Sequence, residues 1–189
     1  NHKKGNFLTR LAVLVSNKVF CTSPDSFTAQ FKKTILMPVG IDTGLFKPAT
    51  SLELLATRKN SILSLGRISP VKNVDLFIEA LKILKERKVE FESSIYGDAL
   101  PRDQKYLENL KNKVKKFELE ERIKFYPGVP NYKTPEIYAG HEVFVNLTPS
   151  GSFDKTILES ASCGCIVITA NEVLKEVDER LVCELDPEG

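Results

Sequence analysis

The chain has 189 residues and a mass of 21.2 kDa, enough for one well-buried domain or one domain and part of a second, and too little for a complete two-domain enzyme. Hydrophobic residues at 42%, charged residues at 28%, ten Gly and ten Pro exclude a disordered, collagenous or membrane-embedded chain. The formal charge of +2, from 27 basic and 25 acidic side chains, excludes a global field able to gather nucleic acid or an anionic membrane, so any basic site has to be local. Four cysteines, Cys21, Cys163, Cys165 and Cys183, have neither the density of a disulfide scaffold nor a paired zinc spacing, and read as reduced core thiols of a cytosolic protein.

The sequence starts at Asn1, has its only Met at Met37 and stops at Asp186-Pro187-Glu188-Gly189, where a helix would begin, so it reads as an excised piece. The basic opening Asn1 to Lys4 leads into an apolar stretch interrupted by Thr9 and Arg10, far short of the roughly 20 apolar residues that cross a bilayer. Strands are predicted at 18–22, 34–37, 61–65, 92–96, 123–126, 142–147, 166–169 and 181–184, several of them continuous apolar runs of the kind covered on both faces. Asn146-Leu147-Thr148 matches a glycan acceptor but falls at the end of such a run and reads as strand.

Between the strands, Val74, Phe77, Ile78, Leu81 and Leu84 make one stripe of an amphipathic helix, and Tyr106, Leu107, Leu110, Val114 and Phe117 make another. Lys111, Lys113, Lys115 and Lys116 on the second helix read as a solvated face. Short strands alternating with helices predict an α/β fold, a Rossmann-like parallel sheet with helices on both faces, and residues from Ser61 onward as one unit.

Such sheets bind ligands at the carboxyl ends of their strands. Gly66-Arg67 followed by Lys72, before a helix, combines close backbone approach, free N–H groups and two cations, a plausible diphosphate site that solvated loop residues explain equally well. After 142–147 comes Thr148 to Thr156, then a helix with Glu159, whose carboxylate has the capacity to accept two hydrogen bonds from a ribose diol; the plain alternative is that Asp154 caps the helix and Glu159 favours its dipole. Gly97-Asp98 after 92–96 leaves room for a base or sugar against the backbone, or is a simple turn.

In order, these pieces resemble the carboxyl-terminal donor-binding domain of glycosyltransferase family 4 (group 1), one half of a GT-B fold. The resemblance rests on Val19-Phe20-Cys21-Thr22-Ser23, on the turn Pro38-Val39-Gly40-Ile41-Asp42 running to Phe46-Lys47-Pro48, and on Gly66-Arg67 with Lys72-Asn73. It continues through Gly97-Asp98-Ala99, through Phe125-Tyr126-Pro127-Gly128 with one residue inserted, and through Pro149-Ser150, Phe153, Glu159-Ser160-Ala161, Gly164 and Val167. It covers the chain from about Val19 to the end.

The resemblance implies a retaining hexosyl transfer from a nucleotide diphosphate sugar, without a metal or other cofactor. Arg67 and Lys72 would hold the donor diphosphate and act in catalysis, Glu159 would hold the ribose, and Gly66, Gly97, Asp98, Ser150, Gly151, Phe153, Asp154, Lys155 and Thr156 would line the donor site. The sequence departs from the family where a Glu contacts the transferred sugar, eight residues before Glu159: that position is Gly151, and the following Gly-Phe-Gly is Ser152-Phe153-Asp154. Either the sugar is recognised differently, through Asp154 or Lys155, or activity is impaired.

The resemblance also implies that residues 1–22 form an interdomain helix and first strand, that residues 23–189 form the donor domain, and that an amino-terminal acceptor domain lies outside this chain. The partners expected are then the nucleotide-sugar, that acceptor domain and a glycan or lipid acceptor, with no nucleic acid, in a cytoplasmic protein that is free or in peripheral contact with the inner face of the membrane. The fragment alone is expected to bind donor and to transfer sugar poorly or not at all. The alternative is a non-catalytic nucleotide-sugar-binding or scaffolding domain in which Gly151 records lost catalysis. An epimerase on the same fold would need a further acid/base group. His2 and His141 read as structural, and Cys163-Gly164-Cys165 as helix-end packing.

Overall fold

The computed structural model describes residues 5–24, 26–37, 39–50, 56–149, 154–172 and 182–186. Helix α1 (Phe7–Val15) opens the chain, started by Asn6, whose side chain accepts from the Thr9 N–H at 2.8 Å. Strands β1 (Val19–Cys21) and β2 (Thr34–Leu36) pair in parallel as a two-stranded sheet of their own, separate from the main one.

The main sheet holds β3 (Ser61–Leu65), β4 (Glu92–Tyr96), β5 (Ile123–Tyr126), β6 (Val143–Asn146) and β7 (Ile166–Thr169), all parallel, in the order β5-β4-β3-β6-β7. Helices α2 (Val74–Glu86), α3 (Gln104–Lys116), α4 (Thr134–Ala139) and α5 (Lys155–Ser162) connect them. The predicted strand at 181–184 is reduced to a single bridge from Val182 to Thr169, with Leu181 outside the described residues.

The apolar stripes pack as their period requires. Val74, Phe77, Ile78 and Leu81 of α2 and Leu110 and Val114 of α3 cover one face of the sheet against Ile95 and Ile123. Tyr138 of α4 and Ile157 of α5 cover the other against Leu63, Phe144 and Val167. Leu63 and Phe144 are completely buried, so the centre of the sheet carries the cohesion. Two polar contacts fix α2 on α3: the Tyr106 hydroxyl donates to Asp75 at 2.6 Å, and Lys113 pairs with Glu79 at 2.6 Å. Lys113 therefore leaves the predicted solvated face, whereas Lys111, Lys115 and Lys116 are exposed as expected. Burial, followed by the bond to Asp75, raises the Tyr106 pKa and keeps its hydroxyl a donor.

The Gly-Ile-Asp turn is structural. Asp42 accepts from the N–H groups of Gly44 and Leu45 at 2.9 and 3.2 Å, which turns the chain and sends Phe46 into the core beside Tyr138. The Ser162 hydroxyl donates to the Phe46 carbonyl at 2.6 Å and Arg58 donates to the Gly164 carbonyl at 2.9 Å, tying this segment to the end of α5. Cys163 and Cys165 are buried there; Cys165 donates to the Tyr138 carbonyl at 3.2 Å, and burial pushes its thiol up to about 12, as helix-end packing requires. Cys21 is buried as predicted, and Cys183 is partly buried. His141, partly buried, bonds the Ile137 carbonyl through Nδ1, and burial lowers its pKa, so it is a neutral structural donor.

Gly97 is where the loops after β3 and β4 touch: a Cβ there would lie 1.9 Å from the Gly66 carbonyl oxygen. Gly97→Ala is expected to cost about 2 to 4 kcal/mol in urea unfolding. Gly40, around which a Cβ would meet nothing within 4 Å, serves as control, and its alanine variant is expected to stay within about 0.5 kcal/mol of the parent.

Candidate donor site

Strand order reverses beside β3. The chain runs from β3 outward through β4 to β5, then returns by α4 to place β6 on the other side of β3. The loops leaving the carboxyl ends of β3 and β6 consequently diverge and leave a crevice, the position at which open α/β sheets take ligands. Gly66, Arg67 and Lys72 from the first loop line this cleft together with Tyr96 of β4 and Asn146 of β6.

The first loop is built for close approach. Gly66 continues the ladder by donating its N–H to the Tyr96 carbonyl at 3.0 Å, and a Cβ on it would point at Lys72, 3.8 Å from Cε. The missing side chain leaves the Lys72 stem as the wall of the cleft. A short 3-10 turn, Pro70–Lys72, then ends on Asn73, which adopts the left-handed conformation (φ 50°, ψ 39°) and starts α2. The Asn73 side chain donates to the Leu147 carbonyl at 2.9 Å, locking the loop after β3 to the loop after β6. Arg67 is exposed beside them.

The second loop meets the first through ions. Lys72 is paired with Asp154, and the two side chains are 23% and 17% exposed. Asp154 also caps α5, accepting from the Thr156 N–H at 3.3 Å and from its hydroxyl at 2.9 Å, while Asn146 donates to it at 3.0 Å. Burial works to raise the Asp154 pKa, but the Lys72 ammonium and the hydrogen bonds from Lys72, Asn146 and Thr156 outweigh it and hold the carboxyl below the ordinary carboxylate range. Asn146 is fully engaged: its amide also donates to Thr156 and its oxygen accepts from the Thr148 N–H at 3.0 Å. This agrees with its reading as strand rather than glycan acceptor.

Glu159, one turn further along α5, is 5% exposed. Asn131, on the turn after β5, donates to its Oε1 at 3.1 Å, and the Tyr138 hydroxyl donates to its Oε2 at 3.2 Å. Burial first and the Glu159 charge second raise the Tyr138 pKa, so that hydroxyl stays a donor. Asn131 is itself exposed, whereas Tyr138 is completely buried. Asp98 is exposed and lies against Gly128: a Cβ on Gly128 would come within 2.5 Å of its carboxylate oxygen.

Of the residues singled out by sequence, Gly66, Arg67 and Lys72 thus line one crevice, Asp154 and Thr156 meet it through Lys72 and Asn146, Gly97 packs on Gly66, and Lys155 is exposed at the start of α5. Ser150, Gly151 and Phe153 lie outside the described residues. Asn73, Asn146, Asn131 and Tyr138 have no site role in the sequence reading; only Asn73 carries a local signal, since Asn tolerates the left-handed conformation that its position ahead of a helix uses. Among the described residues there is no cluster of three His, Cys, Asp or Glu side chains able to hold a metal, and no helix long and apolar enough to cross a membrane.

Asp154→Ala is expected to cost about 2 kcal/mol at neutral pH, from the lost cap and the unpaired Lys72. Because the folded pKa of Asp154 is depressed, the ionic share is fully present above the unfolded value near ~3.9 and disappears as pH falls through the lower folded value. Urea midpoints of parent and variant should therefore converge on acidification below that value, while a constant gap down to the lowest pH would contradict the ion pair.

Comparison with known proteins gives the chain a family. The chain is 26% identical over 161 residues to a phosphatidylinositol N-acetylglucosaminyltransferase subunit of Arabidopsis thaliana, covering 82% of this chain and 34% of that protein. It is 27% identical over 138 residues to mannosylfructose-phosphate synthase of Agrobacterium fabrum, covering 68% of this chain and 30% of that protein. The chain thus spans about a third of the length of these curated relatives. Among solved structures, Anabaena HepE in complex with UDP-glucose superimposes with a TM-score of 0.71 at 25% identity, covering 85% of this chain and 47% of that one. Residues 51–177, more than half of the chain, match the model of the glycosyl transferases group 1, and the chain belongs to that family.

Proposed function

We propose that this chain is the donor-binding domain of a retaining glycosyltransferase, which binds a nucleotide diphosphate sugar and passes its hexose to a glycan or lipid acceptor. The observation that carries the reading is the convergence of Gly66, Arg67 and Lys72 with the amino end of α5 in the crevice where strand order reverses. That Anabaena HepE, similar in fold and sequence, holds UDP-glucose supports the class of ligand.

In this reading the bond from the anomeric carbon to the diphosphate breaks with its electron pair passing to the phosphate oxygen, while an acceptor hydroxyl oxygen bonds to the anomeric carbon and its proton passes to the departing diphosphate. Arg67, Lys72 and the N–H groups at the start of α5 stabilise that growing charge, which is larger in the transition state than in the bound donor. No metal has a role in this scheme. Glu159 accepts from the ribose hydroxyls on the side where the exposed Asn131 amide now sits, and Tyr138 holds the carboxylate in orientation from behind. A carboxylate offers about four acceptor positions, so both functions fit on one group.

The acceptor belongs to a separate amino-terminal domain in this reading. The apolar side chains exposed on α1, β1 and β2, such as Phe7, Leu14, Phe20 and Leu36, supply a surface of the kind that meets another domain. The chain alone is then expected to bind nucleotide without transferring sugar.

Calorimetric titration with UDP, GDP and ADP tests the reading. Binding of one of the three is expected, weakened at least about tenfold by Arg67→Ala and by Glu159→Ala, each of which removes a charged contact. Binding that both variants leave unchanged would contradict the assignment, and turnover by the chain alone would contradict the division of labour between domains.

A further inference from the structure

The partly buried cation of the cleft has a counter-ion supplied by the protein. Lys72, whose stem faces the bare Cα of Gly66, puts its ammonium on the Asp154 carboxylate. The carboxylate is in turn held at the amino end of α5 by Thr156 and on β6 by Asn146. An ammonium, a helix amino end and neutral amide donors are the groups that bind a phosphate oxygen, and here they bind a carboxylate oxygen in its place. The pair joins residues 82 positions apart, one from each loop of the crevice, so it also decides how the two loops sit against each other.

A diphosphate reaching Lys72 meets a fixed negative charge within a few ångströms, in a partly buried setting where water screens it poorly. Arg67 is exposed and carries the remaining positive charge on this side of the cleft. We propose that Asp154 is a built-in counter-ion that an incoming diphosphate must displace from Lys72, so that its carboxylate, rather than the number of cations, sets how tightly the donor is held. The proposal deepens the donor-site reading and rests on it for the identity of the ligand. It assigns Asp154 a task different from direct recognition of the sugar, because its oxygens are already engaged by Lys72, Asn146 and Thr156.

The test is a calorimetric series on the chain with UDP, GDP, ADP, uridine and inorganic pyrophosphate, using the parent, Asp154→Asn, Asp154→Ser, and each of these combined with Lys72→Met. Asn and Ser both keep an acceptor able to cap α5 while removing the charge, and thermal unfolding confirms that each variant is folded. The expected result is that both single variants bind pyrophosphate and the preferred nucleoside diphosphate at least about tenfold more tightly, a change of about 1.4 kcal/mol, and that Lys72→Met cancels the gain. Uridine, which has no phosphate, is expected to bind parent and variants alike. A purely structural role for Asp154 predicts equal or weaker binding in both variants, and that result overturns the proposal.

The same series separates the counter-ion from the donor reading. Tighter pyrophosphate binding with no nucleotide bound by any variant keeps the counter-ion and overturns the donor reading. Nucleotide binding that ignores Asp154 keeps the donor reading and overturns the counter-ion. Failure of every probe to bind every variant overturns both.

Discussion

Strand β3 gains a neighbour on each side, β4 by one crossover and β6 by the return from β5, and the connecting helices consequently lie on opposite faces of the sheet. Everything at the candidate site depends on that reversal, because it is what parts the two loops at the carboxyl end of β3 and leaves a crevice between them. The rest of the architecture serves to hold the crevice at one width. Gly97 allows the β4 loop to lie directly on the Gly66 carbonyl, and Asn73 bonds the β3 loop to the Leu147 carbonyl on the far side. The Lys72–Asp154 pair closes the gap with charge.

This arrangement separates two demands on the same residues. Lys72 and the amino end of α5 are held in place by the protein itself, and partly buried ions without partners would be costly to hold. Asp154 meets that demand by neutralising Lys72 and capping α5 at once. In the proposed donor reading the same contact opposes a second anion arriving at Lys72, so local stability and affinity for a diphosphate would draw on one carboxylate in opposite directions. Glu159 has two neutral donors instead, a buried one in Tyr138 and an exposed one in Asn131.

The parts that are legible in the sequence are those governed by local period. The α2 stripe Val74, Phe77, Ile78 and Leu81 announces a helix because its spacing follows the roughly 3.6-residue turn, and β3, β5 and β7 fall at their predicted bounds because short runs rich in Ile, Leu, Val and aromatic residues fit a pleated, half-buried surface. The motif order locates Gly66, Lys72 and Asp154 in loops at the carboxyl end of the sheet. Helix α4 leaves no comparable trace, since six residues with Pro135 at the start give the period no room to repeat. Nor does spacing reveal that Lys72 meets Asp154, that Lys113 meets Glu79 or that Asn131 and Tyr138 grip Glu159, because these partners are separated by 21 to 82 residues and are joined by the packing of whole elements. The separate pairing of β1 with β2 is of the same kind: each strand is predicted, but which sheet it joins is a tertiary outcome.

If, as proposed, the loops after β3 and β6 hold one diphosphate together, titration of the chain with UDP, GDP and ADP followed by backbone amide resonances gives a clear signature. On that reading the nucleotide that binds shifts the amides of residues 66–69, 71–73, 97–98 and 154–156 together, with one common saturation curve. Shifts confined to only one of the two loops, or centred on α1, β1 and β2, would contradict it.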